Sequence, residues 1–203
     1  MTTRPLILQL DMAGNPCRWI TYEDAAYYYA KNLIAWTVGD DEYTIHGGRN
    51  RATALQSTMD LNTIIAVKGE MGDKHVYRTP TLTNRALFRR DQQICAYCGN
   101  EFHLDKLTRD HIMPSSRGGK DIWTNVVTSC GGCNKVKDNM TPEEAGMKLL
   151  YVPYAPSRSE HLILMNRHIL ANQMDFLMTR VSKDSRLLVP DFKETIKTRK
   201  RVH

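Results

Sequence analysis

The sequence predicts an α+β fold, and three observations predict it. Two Cys-x-x-Cys pairs, Cys95/Cys98 and Cys130/Cys133, bracket a segment in which strand-like runs precede a short polar helix. Apolar runs and one capped helix fill the first 80 residues. Apolar positions at helical spacing dominate after residue 150. The expected organisation is an N-terminal α+β extension over 1–80, a central domain over 81–150, a helical region over 151–190 and a basic, disordered tail over 191–203.

From the N-terminus, Leu6-Ile7-Leu8-Gln9-Leu10 reads as a first strand. Thr21-Tyr22-Glu23-Asp24 reads as a helix start with Thr21 as N-cap, and the helix should run to about Asn32. Ile34 to Ile45 and Leu61 to Val67 read as strands around a polar, Gly-containing stretch. Within that stretch Gly47-Gly48-Arg49-Asn50-Arg51 can touch a phosphate backbone, but a solvated loop is the better account. Asn84 to Asp91 reads as a helix leading into the first cysteine pair.

A Cys-x-x-Cys pair forms a tight knuckle whose thiolates bind one tetrahedral ion, and a second knuckle completes a four-thiolate set. Cys95, Cys98, Cys130 and Cys133 are therefore the expected ligands of a structural Zn²⁺, whose closed shell leaves no position for chemistry. Redox cysteines or two disulfides are the competing reading, ranked behind because no signal-peptide pattern opens the chain. Cys17 has no partner pair and reads as a small buried or incidental residue.

Between the knuckles, Leu107-Thr108-Arg109 is a short strand running into Asp110-His111. Pro114 to Gly119 is a turn-rich loop carrying Arg117, with Lys120 after it. Ile122 to Val127 leads to the second knuckle, and the run from Asn134 reads as a short helix. Two strands, a loop and a helix around an ion make a ββα-metal unit.

The motifs C-x-x-C, L-T-x-D-H-I-x-P, S-x-G-G, W-x-N-x-V and C-x-x-C-N-x-x-K together resemble the HNH endonuclease family in its zinc-stapled branch, over roughly residues 90 to 150. The family pattern is often His-Asn-His; here Asn134 stands at the third position. The resemblance implies phosphodiester hydrolysis with His111 as general base. Imidazole suits that role because an ordinary histidine titrates near neutral pH. It implies Asp110 and the Asn134 carbonyl as hard-oxygen ligands of one catalytic Mg²⁺ or Mn²⁺. It also implies that Asn125 ties the loop together and holds His111 in place. Arg109, Arg117, Lys120 and Lys137 are candidate phosphate contacts on charge and position, Lys137 by sharing a helix face with Asn134.

Alone, each of these residues has a plainer reading: Asp-His as a cap, Asn125 as a turn residue, Asn134 as a helix cap. Their joint placement inside the staple is what points to catalysis. His103, His46, His75, His161, His168 and His203 have no ligand-spaced partner and read as structural or surface residues.

The resemblance implies a DNA substrate, with RNA left open, and products carrying 5′-phosphate and 3′-hydroxyl. Relatives of this type occur in bacteria and phages, in restriction, defence and mobile-element settings, and the cysteine usage fits a reducing cytoplasm. Two other function classes are weighed: a nuclease subunit active only in a larger complex, and a non-catalytic zinc-dependent nucleic-acid-binding module. A homodimer or a partner protein is left open.

After the core, Thr141-Pro142-Glu143-Glu144 has the form of a helix N-terminus, with Thr as cap and Pro at the first position. One longer helix is expected from about Ser159 to Val181. The chain has 203 residues, a formal net charge of +6 and a pI near 9.1, a balance that favours a polyanionic partner. No apolar run approaches the ~20 residues of a membrane span. Five cysteines, four assigned to metal, fit a reducing compartment.

Overall fold

The computed structural model describes residues 6–40, 42–69 and 79–201. Two units divide the chain: residues 1–78 join 166–181 in the first, and 79–165 join 182–203 in the second. Among the described residues no helix is long and apolar enough to cross a membrane.

In the first unit every residue of β1 (Ile7–Leu10), the polar Gln9 included, and of the wholly apolar β6 (Ile64–Val67) is buried, on both faces of each strand. Such strands belong in the middle of a sheet. They pair in parallel, with β2 (Pro16–Ile20) antiparallel to β1 and β3 (Ile34–Thr37) antiparallel to β6, in the order β2-β1-β6-β3. Helix α1 (Tyr22–Ala30) starts where expected, because Thr21 and Asp24 form a capping box. It lays Tyr22 and Ala25 on a core with Ile7, Ile20, Leu61, Ile65 and Val67.

The expected strand from Ile34 to Ile45 is two strands. β3 belongs to the four-stranded sheet, whereas among the described residues β4 (Glu42–Arg49) pairs only with β5 (Gln56–Asn62) in a separate antiparallel ribbon. One run of β-forming residues thus serves two sheets, which propensity alone cannot reveal. Strand β2 lacks a clear apolar alternation, and its opening Pro16 is tolerated because it is the first residue of the strand.

In the second unit α2 (Asn84–Arg90) is capped by Thr83, whose Oγ1 accepts from the Ala86 amide at 3.2 Å. The hairpin β7 (Leu107–His111) and β8 (Val126–Cys130) follows, with Asp110 opposite Val127 and His111 opposite Val126. Helix α3 (Gly131–Lys137) begins at the second knuckle, three residues before Asn134. One core holds Leu87, Phe88, Leu107, Trp123 and Val126; another holds Ile94, Val127, Leu150 and Tyr151.

Asp91 ties these layers together from a fully buried position. It receives Arg90 Nε at 2.8 Å, Arg186 Nη1 at 2.6 Å and the Thr128 amide of β8 at 3.0 Å. Arg90 spends its remaining donors on the carbonyls of Trp123, Tyr154 and Val126. Buried charge is tolerated here because donors and acceptors are matched.

Three expectations for the C-terminal part are corrected. The helix expected from Ser159 to Val181 is two helices, α4 (Arg158–Met165) and α5 (Ala171–Met178), in different units. Asn166 breaks it, folding its Oδ1 onto the His168 amide at 3.0 Å, and Gln173 restarts it by accepting from the Leu170 amide at 3.2 Å. The capping box at Thr141 and Glu144 forms, but the segment stops after one turn. Gly146, at φ +64°, closes it: its amide bonds Glu143 O and the Met147 amide bonds Pro142 O. The basic tail, expected to be disordered, forms α6 (Phe192–Arg201), because Phe192 and Ile196 lie one turn apart and both enter the core beside Ile94 and Tyr151. Val202 and His203 of that tail lie outside the described residues, as does His75.

Candidate active site

The knuckles are shaped by their own backbone. The Gly99 amide bonds Cys95 O at 3.0 Å, the Cys95 amide bonds Asn100 O at 2.9 Å, and Cys130 Sγ caps α3 by accepting from the Cys133 amide at 3.4 Å. The four Sγ atoms lie within 4.8 Å of one another. Tetrahedral zinc with bonds of ~2.3 Å needs S···S edges of roughly 3.8 Å, so a small inward movement completes the shell. The thiols also show why a cation belongs here. Burial, then the neighbouring thiolates, push Cys98 up to about 11 and raise Cys133 further. Burial raises Cys95 as well, but backbone amides at Cys98, Cys130 and Tyr97 outweigh it and leave its pKa below the ordinary value. Four thiolates so close are stable only around a positive charge. The cluster can hold zinc.

Strand β7 carries the polar site, and its alternation sorts the residues onto two faces. Thr108 and Asp110 face α3. Asn134 Nδ2 donates to Thr108 Oγ1 at 3.0 Å, and Lys137 Nζ donates to Asp110 Oδ1 at 3.0 Å and to the His111 carbonyl at 2.8 Å. The second Asp110 oxygen accepts from the Tyr97 hydroxyl, a phenol that burial and then the Asp110 carboxylate hold protonated, well above its ordinary pKa. Arg109 and His111 face the other way and meet at Asp121. Arg109 Nη1 donates to Asp121 Oδ2 at 2.6 Å, and His111 Nε2 lies 3.0 Å from Asp121 Oδ1.

Lys137 is a correction. It was expected to reach a phosphate, yet it is 1% exposed and lies under the strand as the counter-ion of Asp110. The i, i+3 argument found the right helix face, but that face packs on β7. Removing the ammonium leaves a buried carboxylate without its cation, so Lys137→Met should destabilise the protein by about 3–5 kcal/mol in a urea melt. A loss below about 1 kcal/mol would show that Asp110 does not depend on this pair.

The other phosphate candidates separate by environment. Arg117 forms a two-pronged pair with Glu144, and Arg109 is held by Asp121 and by Asn84 Oδ1 at 2.9 Å. Lys120 is exposed and has no side-chain partner among the described residues.

Asn125 ties the loop between β7 and β8 at both ends. Its Oδ1 accepts from the Met113 amide at 3.0 Å, and its Nδ2 donates to Met113 O at 3.1 Å and Lys120 O at 2.9 Å. The loop is so tight that a Cβ on Gly119 would stand 1.8 Å from Met113 O.

The donors fit a hard divalent ion in kind: Asp110 offers a carboxylate, and Asn134 Oδ1 makes no hydrogen bond among the described residues. Because the Lys137 ammonium stands 3.0 Å from Asp110, ion binding there is a competition between two cations. Sequence reasoning missed Asp121 and Tyr97. Asp121 lies ten residues from His111 with no spacing rule to link them, and only the closed loop brings them together. The Arg109 hydrogen bond, and less strongly His111, hold Asp121 below the ordinary carboxylate range, so it stays ionised at neutral pH.

Residues 95–150 match the HNH endonuclease family. No curated protein matches the chain. The matched segment spans both knuckles, the β7–β8 hairpin and α3, and so takes in Asp110, His111, Asn125 and Asn134. The chain therefore carries an HNH endonuclease domain over residues 95–150, with a four-cysteine cluster that can hold zinc.

Proposed function

We propose that this chain is a metal-dependent endonuclease that hydrolyses phosphodiester bonds in DNA, with His111 as general base and Zn²⁺ as the structural ion of the four-cysteine staple. The observation that carries the reading is the pairing of His111 Nε2 with Asp121 at 3.0 Å, inside a segment that matches the HNH endonuclease family. An ionised Asp121 accepts from Nε2–H and so fixes the tautomer that keeps a lone pair on Nδ1. A water hydrogen-bonded to Nδ1 gives up its proton there as its oxygen attacks phosphorus. The bond to the 3′-oxygen breaks, that oxygen takes a proton from solvent, and the products are a 5′-phosphate and a 3′-hydroxyl. Mg²⁺ or Mn²⁺ held by Asp110 and the Asn134 carbonyl would supply neutralisation of charge on the phosphate and the leaving oxygen. Lys137 and Tyr97 fix the carboxylate, Asn125 holds the loop that follows His111, and the exposed Lys120 would meet a phosphate.

The test is cleavage of supercoiled plasmid by the purified protein with Mg²⁺ or Mn²⁺, beside an EDTA control. Nicked or linear product that disappears with EDTA supports the reading; intact plasmid at micromolar enzyme in both metals contradicts it. Asp121→Asn should lower kcat on the order of 10–100-fold, the usual loss when the group orienting a histidine is removed. KM and the melting temperature should hold, and a KM change without a kcat change would place Asp121 in substrate binding instead.

A further inference from the structure

The inner half of the β4–β5 ribbon packs on the core of the first unit through Tyr43, Ile45, Met59 and Leu61, but that packing gives no account of its outer end. From His46 to Thr58 thirteen consecutive residues are exposed, so both faces of the outer ribbon stand in solvent. A two-stranded ribbon without a covering layer is marginal by itself, and natural proteins protect such edges. This one is instead well formed. Asn50 Oδ1 accepts from the Ala52 amide at 2.8 Å, the Asn50 amide bonds Leu55 O at 2.8 Å, and Gln56 and Ser57 donate to the Gly47 and Gly48 carbonyls at 3.0 and 3.2 Å. The register gains one residue between His46 and Arg49, a bulge that twists the end of the ribbon.

What this end presents is chemically one-sided. Residues 46–58 carry Arg49 and Arg51 and no acid. Neither arginine side chain has a hydrogen-bond or ion-pair partner among the described residues, although the Arg49 backbone pairs with Gln56. Around them stand Asn50, Thr53 and Gln56, with Leu55 70% exposed at the tip. Two free guanidinium groups exclude an apolar partner and suit a polyanion.

We infer that the tip of the β4–β5 ribbon enters the major groove of a DNA duplex. The inference rests on the nuclease reading for its choice of polyanion. Dimensions support it: two strands ~4.8 Å apart, with their side chains, fit a groove ~12 Å wide, and four residues at ~3.4 Å each reach beyond its ~8.5 Å depth. The major groove of an RNA duplex is too deep and narrow for side chains to read. In the DNA groove, Arg49 and Arg51 can meet phosphates or the acceptor edge of guanine, and Leu55 can meet a thymine methyl.

The experiment is fluorescence-anisotropy titration of a labelled 30-base-pair DNA duplex, and of an RNA duplex of the same sequence, from 50 to 200 mM salt. A His111→Ala background prevents cleavage during the titration. Arg49→Ala/Arg51→Ala should weaken DNA binding by about 10-fold and flatten the slope of log K against log salt by roughly 1.8, the value for two lost phosphate contacts. Ala52→Glu, which adds an acid to the tip and leaves both arginines, should weaken binding as well and guards against a folding artefact in the double variant. RNA binding should be weaker and insensitive to both changes. Unchanged DNA affinity and slope in both variants would overturn the proposal, as would equal losses on DNA and RNA. Plasmid cleavage by the wild type is scored separately. If it cuts and the ribbon variants bind as it does, the ribbon fails and the nuclease reading stands. If the ribbon binds DNA and the wild type cuts nothing, the ribbon stands alone.

Discussion

His111→Ala is expected to lower plasmid cleavage by about 10²–10⁴-fold, the range that a positioned general base contributes. Melting temperature and zinc content should not move, and the structure gives the reason. The His111 side chain is 24% exposed and, among the described residues, lies outside the two cores named for its unit and makes one polar contact, to Asp121. The bond that Lys137 donates at this position goes to the backbone carbonyl, which alanine keeps. A variant that keeps more than about half of the wild-type rate would mean another group takes the proton. One that loses activity together with its fold would mean the imidazole is structural. The discriminating measurement is therefore the cleavage rate and a thermal melt on the same preparation.

Cys95→Ser should have the largest effect on stability. Cys95 is fully buried, and its amide and carbonyl also hold the first knuckle together. Zinc binding contributes about 10–16 kcal/mol to the folding of small four-ligand modules, against a total stability of about 5–15 kcal/mol for a typical protein. A serine hydroxyl is a poor replacement for a thiolate, so several kcal/mol should go with it. At roughly 2–4 °C per kcal/mol for a chain of this size, the melting midpoint of the second unit should fall by about 10 °C or more. Metal analysis should find one zinc per wild-type chain and less than half of that in the variant. A Cys95→Ser protein that melts like the wild type would remove the structural ion from the account, whatever its activity.

Much of the central domain was legible because its signals are local. A Cys-x-x-Cys knuckle needs only its own few residues, and Leu107-Thr108-Arg109 reads as a strand-like run leading into Asp110-His111. Thr21 announces its helix through a side-chain cap that reaches three residues. The failures share one cause. Charge and helix face make Lys137 a candidate phosphate contact, and lysine is almost always solvated, yet its burial follows from a carboxylate 27 residues away. Asp121 reaches His111 only because Asn125 and Gly119 close the loop between them. The tail was judged by its charge, whereas Phe192 and Ile196 were enough to dock it.

The sequence by itself determined that four cysteines form one cluster, that a strand leads into Asp110 and His111, and that a short helix follows the second knuckle. Each follows from bonds or spacings within a few residues. Only the tertiary structure decided which charges face inward and which partner each finds. It closed Asp110 between Lys137 and Tyr97, gave His111 to Asp121, and left Arg49 and Arg51 in solvent at the end of a ribbon. Local propensity carries no information on these points, because the energy of a charge depends on what surrounds it after the chain has folded.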